Sequence, residues 1–150
     1  MDNSFFGLKV TQSPSSTGTE KVSVNMNTAT LSSIDLLVDN GYYSNRSDFI
    51  NQAVREALSR QQTAIDRIAD QNISSSAAVG NHWFLGIYTL SAEEVAHAAG
   101  ENKSFSLKGY GLLKIDPECD TEMLFAVVKA IQIRGKVSAS DHIKTHYSLK

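Results

Sequence analysis

Histidine and cysteine are the side chains best able to bind metal or act as nucleophiles, and this 150-residue sequence holds His82, His97, His142, His146 and Cys119. A metal centre needs three or four ligands brought together and usually signals itself through tight His or Cys pairs. Only His142 and His146 fall one helical turn apart, so the histidines are read as surface residues and no metal site is expected. Cys119 lies between Glu118 and Asp120, whose charges oppose a thiolate and make it a poor nucleophile. Gly109-Tyr110-Gly111 is too short for a phosphate-cradling loop, and neither a zinc-protease helix nor a nucleophile elbow occurs. No catalytic residue, no cofactor and no enzymatic activity are expected.

The elements that carry these residues belong to a folded chain, since 41% hydrophobic with 20% charged residues is the balance of a soluble domain or two small ones. A formal net charge of −2 rules out a chain-wide basic field, so any attraction to nucleic acid must be local. No run approaches the ~18 apolar residues of a membrane span, and the polar start Asp2-Asn3-Ser4 does not suit a signal peptide. A cytoplasmic protein without a membrane partner is expected, and a lone cysteine fits a reducing compartment.

Residues 1–19 hold one apolar cluster, Phe5-Phe6-Gly7-Leu8, before a Ser/Thr/Pro/Gly run, and are expected to be a flexible arm. Residues 21–27 alternate strictly, with Val22, Val24 and Met26 apolar between Lys21, Ser23, Asn25 and Asn27, which predicts a half-buried strand. Asn27 or Thr28 can cap a helix carrying Leu31, Ile34, Leu37 and Val38, closed by Asn40-Gly41. Ser44 offers a second cap, before an amphipathic helix with Phe49, Ile50, Ala53, Val54, Ala57 and Leu58. A single strand has nothing to pair with here, so it requires a second copy. Two antiparallel copies would turn Val22, Val24 and Met26 toward four helices and Lys21, Ser23 and Asn25 outward, giving a two-stranded ribbon of a size that fits the DNA major groove.

Residues 20–60 thus resemble the ribbon-helix-helix superfamily of Arc, MetJ and CopG type repressors, and residues 20–62 are assigned as the DNA-binding domain. The resemblance rests on Val22-Ser23-Val24-Asn25-Met26 and on the turn Gly41-Tyr42-Tyr43-Ser44-Asn45-Arg46-Ser47-Asp48 entering the second helix. It implies a homodimer, or a higher oligomer, bound to double-stranded DNA. The base contacts would be Lys21, Ser23 and Asn25, the phosphate contacts Ser44, Asn45 and Arg46, and the dimer core Val22, Val24, Met26, Leu31, Ile34, Ile50 and Val54. Asn matches the adenine edge and Lys can donate to guanine, while free amides at a helix start favour a phosphate. Between Glu20 and Arg60, four cations face five anions, so binding to random DNA should be weak.

Beyond Arg60, Ile65 and Ile68 extend the helical spacing, and Ser74 to Gly80 reads as a linker, so residues 63–80 are assigned as helical extension and linker. Residues 81–150 are expected to be a small domain within an α+β fold. Its strands are placed at residues 83–90, 104–116 and 131–139, with a hairpin turn at Gly109 and Gly111. Ser91 with Glu94 predicts a capping box for a helix ending at Gly100, and further helices are expected at residues 121–129 and 141–147. No internal repeat is evident. Trp83, Phe84, Phe105, Tyr110 and Phe125 are read as core. Lys108, Lys114, Arg134 and Lys136 are read as solvated charges, because eight acids balance eight bases over residues 82–150.

The layout is similar to that of nickel-responsive repressors, which add an α+β domain to a ribbon-helix-helix module, but the ligand cluster is missing. The expected function is a transcriptional repressor or autoregulator that occludes a promoter, with residues 81–150 for oligomerisation or sensing. The alternative is an antitoxin whose C-terminal part neutralises a toxin partner.

Overall fold

The computed structural model describes residues 19–150, so the expected arm lies outside them except for Thr19. Contacts divide the chain at Arg67/Ile68, within a helix rather than in a linker.

The first unit is helical. Helix α1 spans Thr28–Asp39, with Asn27 as its cap accepting from the Thr30 amide at 2.8 Å. It ends in a Schellman turn: Gly41 sits at φ +79°, its N–H donates to the Val38 carbonyl, and the Tyr42 N–H donates to the Leu37 carbonyl. Helix α2 spans Arg46–Arg60. Helix α3 spans Gln62–Ala78, and the two are separated by Gln61, whose N–H turns to the Leu58 carbonyl. The expected linker at residues 74–78 is therefore the last part of α3, and the chain leaves the helix at Gly80, φ +72°. Three serines in a row reduce helix propensity only slightly, which is why composition misled there.

Residues 21–27 are not a strand in this chain. A strand is defined by its ladder partner, and none of the described residues pairs with this segment.

The second unit alternates strand and helix: β1 (His82–Leu90), α4 (Ala92–Gly100), β2 (Phe105–Ile115), α5 (Thr121–Val127), β3 (Val128–Ser138) and α6 (Asp141–His146). Each helix starts on a side-chain cap, from Ser91, Asp120 and Ser140 respectively. The mixed helix and strand class agrees with expectation. The strands form one sheet in the order β1-β2-β3, parallel throughout. Phe84, Tyr88, Leu90, Phe105, Leu107, Leu113, Ile115, Val128 and Ile131 pack in one cluster with Val95 and Ala98 of α4, Leu124 and Val127 of α5, and Ile143 of α6. All three helices therefore cover the same face of the sheet.

The expected hairpin does not form, because Gly109 and Gly111 lie inside one continuous strand. Gly109 stands opposite Phe84, and a Cβ there would meet the Phe84 ring at 2.5 Å. Gly111 stands between Gly86 and Gly135 in the ladder. These three sit at φ +128°, +107° and +148°, a region open to glycine alone. A Cβ on Gly111 would lie 2.0 Å from the Gly86 carbonyl oxygen, and one on Gly135 would lie 1.9 Å from that of Gly111. Each of the three strand–helix pairs carries one of these glycines at the same level of the ladder.

Candidate nucleic-acid interface

Lys21, Ser23 and Asn25 are all exposed in the segment before α1. Val22, Val24 and Met26 alternate with them and are also exposed, Val22 to 78% and Val24 to 63%. In α1 and α2, Ile34 is buried, Leu31 and Ile50 are half-buried, and Val54 is 50% exposed. Of the positions expected to form a dimer core, Val22, Val24, Met26 and Val54 are thus exposed on one chain, whereas Ile34 is buried within it. The edge-on contact of Tyr43 with Phe49, centroids 4.9 Å apart, packs the turn between α1 and α2.

The start of α2 differs from the expectation in its details. Its cap is Asn45, not Ser44: Asn45 Oδ1 accepts from the Asp48 N–H at 2.9 Å, and the Ser44 N–H donates to Asp48 Oδ2 at 3.0 Å. The amides of Arg46 and Ser47 have no acceptor among the described residues, and the helix dipole makes them the anion-seeking end. Arg46 itself donates through Nε and Nη2 to the two carboxylate oxygens of Asp35, at 2.6 and 2.7 Å. Those hydrogen bonds hold the Asp35 carboxyl below the usual carboxylate range. Asp35 and Asp48 were not singled out from the sequence. An Asn-x-x-Asp spacing could have revealed the second, but the first comes from the preceding helix and leaves no local signal.

The histidines and the cysteine fall into separate settings. His82 Nδ1 lies 3.2 Å from the Tyr88 hydroxyl, which donates to Glu94, and its ring stacks on Phe105 at 4.1 Å. Burial pushes the His82 pKa down against the opposing pull of Glu94. Burial pushes the Tyr88 hydroxyl up, with Glu94 adding to the shift. His146 stacks on Phe125 at 3.6 Å, and His142 meets the same ring edge-on. Among the described residues no three His, Cys, Asp or Glu side chains are grouped so as to hold a metal ion. Cys119 is buried, with its thiol raised first by that burial and then by Asp116 and Glu94. The charges that act on it are not those of its neighbours in sequence.

A family model described as the Ribbon-Helix-Helix transcriptional regulator family matches residues 17–144. That span runs through both units, well past the forty residues on which the resemblance rests. No curated protein and no solved structure matches the chain, and none of the described helices is long and apolar enough to cross a membrane.

Proposed function

The chain belongs to the ribbon-helix-helix transcriptional regulator family, and on that premise we propose that it is a homodimeric, sequence-specific DNA-binding repressor acting in the cytoplasm. Two copies pair residues 21–27 as an antiparallel ribbon, set Lys21, Ser23 and Asn25 against base edges in the major groove, and occlude a promoter. The Arg46 and Ser47 amides, with Ser44 and Asn45 beside them, receive a phosphate. Residues 20–62 are the DNA-binding module, and residues 81–150 form its oligomerisation or sensing domain.

The observation that carries this reading is the exposure of Val22, Val24 and Met26 on a segment that pairs with no strand among the described residues. Each such side chain gains roughly 1.5–3 kcal/mol when fully buried, and pairing with a second copy buries all of them at once. The test is a gel shift on the DNA upstream of its own reading frame, with random DNA beside it. Asn25→Ala should lose roughly 1–3 kcal/mol on the cognate site and little on random DNA, since only matched base edges return its two hydrogen bonds. Equal losses on both would remove the ribbon as the reader.

A further inference from the structure

Over residues 82–150, the eight acids and eight bases balance in number but not in position. Every Asp and Glu lies on a helix or a loop, and β1, β2 and β3 contain none. The side chains of a strand alternate between faces, and the core residues fix which face the helices cover. The other face carries Trp83, Leu85, Ile87 and Thr89 on β1, with Trp83 buried and Leu85 and Ile87 half-buried, then Lys108, Tyr110, Leu112 and Lys114 on β2, and Gln132, Arg134 and Lys136 on β3. The four cations expected to be solvated charges thus share one face, on which β1, β2 and β3 place no acid. None of the four enters an ion pair among the described residues, whereas Arg46, Arg60 and Lys103 all do.

At the middle of this face stands Tyr110, 46% exposed, which corrects its reading as core. Its ring leans on the buried Trp83 at 6.1 Å between centroids, so it is propped rather than free. Arg134 is its direct ladder partner on β3. Lys108 precedes it by two residues on its own strand, and Lys136 follows Arg134 by two on the next. Three exposed cations therefore flank one exposed aromatic ring on the β2–β3 part of this face.

We propose that this face binds single-stranded nucleic acid, with Tyr110 stacking a base and Lys108, Arg134 and Lys136 holding the phosphates on either side. Charge complementarity selects a polyanion, and the protruding ring selects among polyanions. A base offers its flat face to a side chain only when it is unstacked, which is the reason single strands are read on sheet surfaces carrying aromatic side chains. A duplex buries those faces, and an acidic protein surface has none. This site is separate from the N-terminal ribbon and does not depend on it.

The test uses the full chain and a fluorescent 20-nucleotide oligo(dT), followed by anisotropy. Wild type should bind, Tyr110→Ala should weaken binding by about tenfold or more, and Tyr110→Phe should restore most of it. Arg134→Ala and Lys136→Ala should each lower the salt slope by about 0.7. Asn25→Ala should leave oligo(dT) binding unchanged, which separates this site from the ribbon, and Tyr110→Ala should leave operator binding unchanged. No binding at low salt, or a Tyr110→Ala protein that melts and binds as wild type does, would overturn the proposal. Equal competition by random duplex or by polyglutamate would overturn the single-strand assignment.

Discussion

Arg46, the first residue of α2, holds Asp35 of α1 through two parallel hydrogen bonds of 2.6 and 2.7 Å. This fork-to-carboxylate geometry fixes the guanidinium plane, and it neutralises the cation at the start of α2. A guanidinium already paired with a carboxylate attracts a second anion less. That is one local reason, together with the acidic balance of residues 20–60, to expect weak attraction to random DNA.

Asp35→Asn should therefore tighten binding to cognate and random duplex alike, by several-fold at low salt. The salt slope should steepen by about 0.9 if the released Arg46 neutralises one phosphate. Arg46→Ala should do the reverse. The pair is about half exposed to solvent, where an ion pair contributes little to stability, so melting should barely move. Unchanged affinities in both variants, measured across a salt series, would remove Arg46 from the DNA backbone.

Gly111→Ala should cripple the second unit. It forces an L side chain to φ +128° and drives its Cβ into the Gly86 carbonyl. Strain of that kind costs about 1–3 kcal/mol before the clash is counted. Gly100→Ala is the control: it closes α4 at an ordinary φ with open space around it, and should gain about 0.4–1 kcal/mol. Denaturant midpoints of the two variants should move in opposite directions.

His82 should make stability depend on pH. Its folded pKa is depressed by burial, so the unfolded chain binds the proton more readily. The stability of the neutral, stacked ring is then fully present above the unfolded value of about 6.5 and is lost as pH falls through the folded pKa. Tyr88 and Glu94 face the ring, and the Tyr88 hydroxyl keeps its proton throughout this window. The thermal midpoint of wild type should fall more between pH 7.5 and 5.5 than that of His82→Gln. Parallel curves would exclude His82 as the cause.

What could be read from the sequence was local. The Ser91 cap of α4 and the Asn40-Gly41 stop each lie within a few residues, and a single chain carries such signals whole, whereas the alternation before Asn27 forms no strand among the described residues. The Gly109-Tyr110-Gly111 error has the opposite cause. Two glycines in a strand look like a turn, yet their partners Phe84 and Gly86 stand 25 residues earlier, across a parallel crossover. The basic face was hidden for the same reason: Tyr110 and Arg134 become neighbours only once β2 and β3 pair. At the start of α2, the Asn45 cap is local and lay within reach of the Asn-x-x-Asp spacing, but the counter-ion Asp35 comes from α1 and leaves no local signal.

The two units should melt by different laws. Leu124 is fully buried within the core of one chain, so Leu124→Ala should cost about 2–5 kcal/mol at any protein concentration. Val54 is half exposed in one chain, and its truncation removes little from that chain alone. If Val54 is buried between two copies, the midpoint of the first unit rises with protein concentration, because association stabilises only the folded state. Val54→Ala should then lower that midpoint, with the largest effect in dilute solution where dimers are fewest. Calorimetry of the full chain at two concentrations a hundredfold apart separates the cases. A first-unit transition that ignores concentration and survives Val24→Pro, which deletes a ladder amide, would show that residues 20–62 are stable without a second copy and that the ribbon is not what holds them.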